Sequence, residues 1–342
     1  MSKIRFGLIG YGAWGKYHAR AIVKNANTRL TAIAARSEKT LAAARTDHPQ
    51  AQVHADFHKM LTQPDLDVVV VVLPTDQHHE AGVAVLDAGK HLLMEKPMAL
   101  TLEHCDALIA KAKENGQQLF VAHEFRLSSL WSKVKEMVEA GAIGDPQYAL
   151  IELWRNPYRL GSEGWRYDIN RVGNWILEEP IHFFDFARWY FEQAGDPTSV
   201  YARANAKRPD RPELQDNFSA TLNFPNGAYA VISQTLSAFE HHQVVKITGT
   251  QGALWATWSG AMDRTLEPTF WLKYFDGENV KDIEITKITG EVYELEGQVE
   301  AVVRAIRDGT SEGTSGEDGR WAVAICLAAQ DSVDTGKVVS LS

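Results

Sequence analysis

Two short stretches hold residue types that move protons and stabilise developing charge: Glu95-Lys96-Pro97 and Glu178-Glu179-Pro180-Ile181-His182. Proline is favoured in the first turn of a helix, so His182 is expected near a helix N-terminus, where the dipole disfavours imidazolium. A neutral imidazole accepts a proton, and hydride transfer from an alcohol carbon requires the hydroxyl proton to leave. Lys96 offers positive charge or a hydrogen bond to the oxygen that becomes a carbonyl. The two roles can also be exchanged or shared. Taken alone, each residue has a plainer reading: a lone histidine is more often a satisfied core residue and a lone lysine a solvated one.

The elements before Lys96 place it where chemistry occurs. His91 to Met94 reads as a short strand, and ligands in parallel α/β sheets gather at carboxyl strand ends. The residue before a proline is held extended, which fixes Lys96 relative to that sheet. The sheet opens with Arg5 to Ala21, RFGLIGYGAWGKYHARA, an apolar strand followed by Gly10-Tyr11-Gly12-Ala13-Trp14-Gly15 and a helix. This strand, glycine turn and helix order suits a dinucleotide: Gly10 for the tight turn, Gly12 to leave a pyrophosphate room, Gly15 for close helix packing. Backbone N–H groups at the helix start, around Ala13 and Trp14, then face the phosphates.

Leu30 to Ala35 completes a βαβ unit. An acid at the end of this second strand normally holds the ribose of NAD, whereas here Ala35-Arg36-Ser37 leaves room for a 2′-phosphate. NADP is therefore the expected cofactor and NAD the alternative, with Arg36 as phosphate partner and Ser37 as hydroxyl donor. The plainer reading has Ser37 capping the helix Glu38 to Arg45. The missing acid counts against FAD. Asp67 to Leu73 is a β-branched run suited to a central strand buried on both faces, broken by Pro74-Thr75-Asp76. Helices from Gln77 to Ala88 and from Thr101 to Gly116, and a strand at Gln118 to Ala122, close a dinucleotide-binding domain over residues 1–122.

A second domain is expected over residues 123–342. Leu127 to Gly141 is an amphipathic helix and Gln147 to Arg155 alternates as a strand. Further strands follow at Ser219 to Phe224, Tyr229 to Leu236, Val244 to Thr248 and Thr269 to Phe275, with a hairpin turn at Pro225-Asn226-Gly227. Helices at Pro180 to Glu192, Val292 to Arg307 and Asp318 to Thr335 would cover one face. The fold class is thus α/β, an N-terminal Rossmann domain plus a C-terminal α+β domain with an open, mainly antiparallel sheet. The uncovered face, rich in apolar and aromatic residues, is the expected surface of a homodimer or homotetramer.

Composition narrows the partners. The formal net charge of −9 over 342 residues, with no basic run, disfavours nucleic acid, and a small molecule fits better. Two cysteines, Cys105 and Cys326, make no disulfide framework and point to a reducing compartment. No apolar run approaches membrane-spanning length and no signal-peptide pattern precedes the first strand, so a cytoplasmic location is expected. His78-His79 and His241-His242 are sequence neighbours whose side chains diverge, and His104-Cys105 fails likewise, so no metal site is expected.

The combined motifs resemble the Gfo/Idh/MocA family, named after glucose-fructose oxidoreductase and inositol dehydrogenase, along essentially the whole chain. The matching residues are Gly10, Gly12 and Gly15, Pro74 with His78, AGKHLLMEKP from Ala88 to Pro97, HEFR from His123 to Arg126, and GNWILEEPIHFFDFARW from Gly173 to Trp189. The resemblance implies an NAD(P)-dependent oxidoreductase acting on a sugar, polyol or cyclitol. Its rivals are a non-catalytic sensor that binds nucleotide and sugar, and a glycoside-cleaving enzyme that uses NAD transiently.

The resemblance also implies Pro74, Thr75, His78, Glu95 and Lys96 on the cofactor side. It implies substrate contacts from Lys96, His123, Arg126, Trp165, Arg166, Glu178, Glu179 and His182. Trp154, Arg155, Asn156 and Tyr158 are further candidates for a sugar ring, although core stacking explains the tryptophans equally well. Asp185 either orients His182 or is a solvated first-turn acid. Glu178 stands where the family usually has aspartate and Pro180 where it usually has glycine, a departure that bears on substrate choice.

Overall fold

The glycine turn joins strand β1 (Ile4–Ile9) to helix α1 (Ala13–Lys24) in a computed structural model that describes residues 2–310 and 313–341. The chain continues through β2 (Thr28–Ala34), α2 (Glu38–Asp47), β3 (Gln52–His54), α3 (Phe57–Leu61), β4 (Val68–Val71), α4 (His78–Asp87), β5 (His91–Glu95), α5 (Leu102–Glu114) and β6 (Leu119–Ala122). The six strands are all parallel in the order β3-β2-β1-β4-β5-β6. This is the doubly wound order, whose direction reverses between β1 and β4. All four valines of β4 are buried, as expected of a strand covered on both faces. Strand β3 and helix α3 were not anticipated, because three half-exposed residues at a sheet edge and a five-residue helix are too short to show a period.

The later elements are α6 (Trp131–Glu139), β7 (Pro146–Arg155), α7 (Ile169–Val172), α8 (Pro180–Tyr190), β8 (Ser199–Asn205), β9 (Asn217–Asn223), β10 (Tyr229–Thr235), β11 (His241–Gly249), β12 (Ala253–Gly260), β13 (Thr269–Phe275), β14 (Val280–Ile283), α9 (Glu291–Asp308), α10 (Gly316–Thr335) and β15 (Val339–Ser340). Nine strands form one sheet in the order β14-β13-β12-β11-β7-β10-β9-β8-β15. Among the described residues only the β7–β10 pair of this sheet is parallel, so the sheet is mainly antiparallel as expected. Strand β12 escaped the sequence reading because the outward Trp255 and the half-buried Ala253 blur its polar–apolar alternation.

Contacts divide the chain into two compact units, Met1–Glu124 with Leu295–Arg320, and Phe125–Glu294 with Trp321–Ser342. The helix expected at Val292 to Arg307 as a cover for the second sheet is a different case from the others. From Leu295 onward α9 groups with the first unit, where Leu295, Val299, Val302 and Val303 join Phe6, Leu8, Ile22 and Val68 in one core. An amphipathic stripe requires a helix to bury one face but does not specify the receiving sheet. Polar contacts add to the choice: Lys24 pairs with Glu296, Asn25 donates to Glu300, and Arg307 donates to Asn27.

In the second unit, β7 buries Ala149, Ile151, Leu153 and Arg155 on the face that α8 covers. The alternate residues point the other way. Trp154 (51% exposed), Trp255 (48%), Trp271 (41%) and Tyr229 (41%) give that opposite face its aromatic surface. Trp154 therefore points away from the core and from the face that carries Arg155, which corrects its reading as a core residue. No helix among the described residues is long and apolar enough to cross a membrane.

Candidate active site

The glycine turn can be tested for fit to a dinucleotide position by position. Gly10 has φ +100°, and a Cβ there would lie 2.0 Å from the carbonyl oxygen of Val72. A Cβ on Gly15 would lie 2.0 Å from the carbonyl oxygen of Gly10. Both glycines are demanded by the protein's own backbone. Gly12 is not: it is extended (φ −75°, ψ −167°), and a Cβ there would meet nothing within 4 Å. Gly12 is the N-cap of α1, with no side-chain capping bond. Its missing side chain keeps open the volume in front of the helix N-terminus, where backbone N–H groups and the dipole favour an anion. The residues present therefore fit a pyrophosphate.

At the end of β2, Arg36 and Ser37 are exposed. The Ser37 hydroxyl accepts from the N–H of Thr40 at 3.2 Å and so caps α2, the plainer of the two readings offered for it.

The end of β5 is braced to the same glycine-turn helix. Glu95 is 6% exposed, and its Oε1 accepts from Trp14 Nε1 at 2.8 Å and lies 2.6 Å from His18 Nε2, while its Oε2 accepts from the backbone N–H of Lys96 at 3.3 Å. Burial alone would raise the Glu95 pKa, but the His18 contact and the charge of Lys96 outweigh it and hold the carboxyl below its usual range. Trp14 and Glu95, both expected to touch cofactor, are thus engaged with each other. The Lys96–Pro97 bond is cis. The carbonyl of Pro97 lies 2.8 Å from His78 Nδ1, and His78 Nε2 lies 2.9 Å from the carbonyl of Leu73. His78, 1% exposed, therefore ties the end of β4 to the turn that carries Lys96, and Thr75 beside it is buried as well.

The second unit positions His182 as the sequence order requires. Pro180 opens α8, Glu179 is its N-cap, and the His182 N–H donates to the Glu179 carbonyl at 3.1 Å. His182 is 3% exposed and its ring packs 4.6 Å from that of Phe125. Asp185, 3% exposed, is not the solvated first-turn acid of one of its two readings. It takes both arms of Arg126, Nε at 2.8 Å and Nη2 at 2.6 Å, in a bidentate pair that also lays the guanidinium 5.5 Å from the Trp189 ring centre. His123 is buried.

Glu178 and Glu179 are each paired with a different arginine. Glu178, 3% exposed, is 2.7 Å from Arg166 Nε, while Glu179 Oε1 is 3.1 Å from Arg155 Nη1. Burial opposes the charge on Arg166, but Glu178 and Glu179 more than offset it and raise its pKa. Trp165 packs on a cluster formed by Tyr158, Tyr167, Val172, Trp175, Leu214 and Leu236. The backbone carbonyl of Arg166 accepts from Trp175 Nε1 at 2.8 Å, which anchors this segment. Asp263, His241 and Glu291 also gather near Glu179, and the sequence reading missed them. In the sequence His241 is marked only by its neighbour His242, and Glu291 carries no local signal at all.

Comparison with known proteins agrees with this architecture. A family described as "Oxidoreductase family, NAD-binding Rossmann fold" matches residues 4–123, and the "GFO/IDH/MocA C-terminal domain" matches residues 131–255, together well over half the chain. The chain belongs to the Gfo/Idh/MocA oxidoreductase family. Among its relatives, the inositol 2-dehydrogenase of Rhizobium meliloti is 29% identical over 99% of both chains. The myo-inositol 2-dehydrogenase of Thermotoga maritima is 26% identical over 99% of this chain and 98% of its own. The structure of aldose-aldose oxidoreductase from Caulobacter crescentus, complexed with glycerol, superposes with a TM-score of 0.86 at 21% identity, covering 99% of this chain and 100% of that one, and so shares the fold. This Gfo/Idh/MocA protein thus carries an NAD(P)-binding Rossmann unit.

Gly12 and Gly15 separate cofactor space from packing. Gly12→Ala is expected to leave thermal unfolding unchanged within about 0.5 kcal/mol while weakening NAD(P)H binding about ten-fold or more. Gly15→Ala forces a backbone collision and is expected to cost about 2 kcal/mol or more of stability. Thermal unfolding and fluorescence titration with NADH and NADPH check both; wild-type nucleotide affinity in Gly12→Ala would show that the open volume holds no phosphate.

Proposed function

We propose that this oxidoreductase interconverts a secondary hydroxyl and a carbonyl on a sugar, polyol or cyclitol. The observation that carries the reading is a buried histidine, His182, in the first turn of α8, in a chain that also presents a lysine at the carboxyl end of β5. The inositol dehydrogenases among its relatives support the substrate class. A bound nicotinamide supplies the hydride acceptor or donor. His182 takes the hydroxyl proton, its neutral form favoured by the positive end of the α8 dipole. Lys96 stabilises the negative charge that grows on the substrate oxygen. Glu178, clamped by Arg166, accepts a hydrogen bond from a substrate hydroxyl. A glutamate reaches one methylene further than the aspartate usual in the family, which shifts the preferred hydroxyl position.

NADP is the preferred cofactor in this reading. Its support is the absence of an acid at the end of β2 and the exposed Arg36 there, which suits a 2′-phosphate. The aromatic outer face of the nine-stranded sheet is read as the contact between copies in a homodimer or homotetramer, because Trp154, Trp255 and Trp271 are costly to leave in water.

Three measurements test these assignments. Lys96→Ala and His182→Ala should each lower kcat on the responsive polyol by about 10²- to 10⁴-fold in folded protein that still binds NAD(P)H; unchanged turnover in either sinks its role. Arg36→Asp should weaken NADPH binding by about ten-fold or more and leave NADH binding little changed, and equal loss for both would remove the phosphate role. Trp154→Glu with Trp255→Glu should shift the mass measured by light scattering from oligomer to monomer, and an unshifted oligomer would place the interface elsewhere.

A further inference from the structure

Several buried polar groups of the second unit gather at one place with fewer partners than their chemistry asks for. Strand pairing sets His241, the first residue of β11, opposite Arg155, the last of β7. Both face inward, at 0% and 6% exposure. Arg155 reaches Glu179 at 3.1 Å and Asp263 at 3.3 Å, and Asp263 also takes Arg159 at 2.7 Å. Glu291, the first residue of α9, completes the group. One carboxylate oxygen each from Glu179 and Glu291 and one ring nitrogen of His241 all lie within 4.8 Å of one another.

Three of these neighbours are unsatisfied. His241 Nε2 meets Gln243 Nε2 at 3.0 Å, but its Nδ1 is buried with no hydrogen-bond partner. The hydroxyl of Tyr158, whose ring centre is 4.9 Å from the Arg155 guanidinium carbon, is buried and equally without one. Glu291, half-buried, makes no hydrogen bond or ion pair among the described residues. Unpaired buried polar groups cost stability, and several at one place mark where a ligand supplies the missing bonds.

The charges indicate which ligand. Arg155 and Arg159 already neutralise Glu179 and Asp263, so a second cation would have to crowd Arg155. Burial, then the charges of Asp263 and Glu179, push Glu291 up to about 8, so at neutral pH it mostly keeps a proton and both donates and accepts. Burial and Arg155 push His241 down to about 3, so its ring is neutral. Neutral groups that donate and accept match hydroxyls, which do both.

We infer that Glu179, His241 and Glu291, with Tyr158, form a subsite that holds neighbouring hydroxyls of the substrate ring and so decides which polyol is accepted. The inference rests on the polyol reading above. Glu179 is fixed by Arg155 and adjoins Glu178, which links the subsite to the residues proposed for chemistry. It adds two specificity residues, His241 and Glu291, that no motif marks.

The test uses the full-length protein, myo-inositol and D-glucose, and their monodeoxy analogues. Binding is measured by calorimetry with NADPH present, and turnover with NADP⁺ and NAD⁺. The wild type should bind one parent polyol about ten-fold or more tighter than at least one deoxy analogue. Glu291→Ala and His241→Phe should each lose about ten-fold in affinity for that parent and bind it no better than the analogue, and Glu291→Gln should keep part of the discrimination. Removing a partnerless carboxyl should leave the unfolding midpoint of Glu291→Ala unchanged or raised. Unaltered affinity and discrimination in both variants overturn the subsite even if polyols are oxidised, which leaves the dehydrogenase reading intact. Polyols bound with this pattern but never oxidised overturn the dehydrogenase reading and uphold the subsite. Stabilisation of the wild type by Mn²⁺ or Zn²⁺ alone, lost in Glu291→Gln, overturns the subsite in favour of a cation site, and no binding of any polyol overturns both readings.

Discussion

The carbonyl of Gly10 occupies the volume that a side chain on Gly15 would need, and the carbonyl of Val72 occupies the volume that one on Gly10 would need. This crowding sets the distance between the end of β1, the end of β4 and the start of α1. A helix whose first turn is pressed against its own preceding strand keeps its uncapped N–H groups at a fixed place, and Gly12 leaves the space before them open. The cofactor cradle follows from backbone collision rather than from side-chain recognition. The protein's own backbone demands glycine at Gly10 and Gly15 and leaves position 12 unconstrained.

A second constraint aligns Lys96 with that cradle. One buried carboxylate, Glu95, receives Trp14, meets His18 and accepts from the backbone of Lys96, so α1 and the end of β5 share a brace. His78 holds the other side of the same turn through the carbonyls of Leu73 and Pro97. Trp14, Glu95 and His78, which a motif comparison would place against the cofactor, are thus also bonded to the turn and helix around them. Buried hydrogen-bonded groups of this kind fix geometry well because leaving any partner unmade costs more than making it gains.

The second unit manages buried charge differently. Arg126 and Asp185, Arg166 and Glu178, and Arg155 with Glu179 and Asp263 each bring a guanidinium to a buried carboxylate. Removing one member of such a pair leaves the other stranded, so the pairs lock the segments that carry them. His182 sits among these fixed elements, packed on Phe125 and held in a proline-initiated first turn. Glu291 and His241 stand out against that background because, among the described residues, the carboxyl of Glu291 and the Nδ1 of His241 have no hydrogen-bond partner while the charged groups around them are paired.

Much of this was legible in the chain. Local sterics and periodicity act over a few residues, so Gly10, Gly12 and Gly15, the valine run of β4, the Thr101 cap and the proline before His182 each announced their structure. The same locality explains the omissions. Strand β3 was too short to show alternation and β12 hid it behind the outward Trp255. The apolar stripe of α9 showed that it must be buried, yet only the packed structure chose the core of Phe6 and Leu8 over the second sheet. Asp185 was visible as an acid one turn after His182, while its partner Arg126 lay 59 residues away. By itself the sequence determined the nucleotide-binding class, the strand ends that carry Lys96, and the helix start that carries His182, because each depends on neighbours along the chain. Which carboxylates are paired, which face Trp154 takes, and that Glu179, His241 and Glu291 meet at one point were decided only by the tertiary structure, because strand register and helix docking join residues whose separation leaves no trace in local pattern.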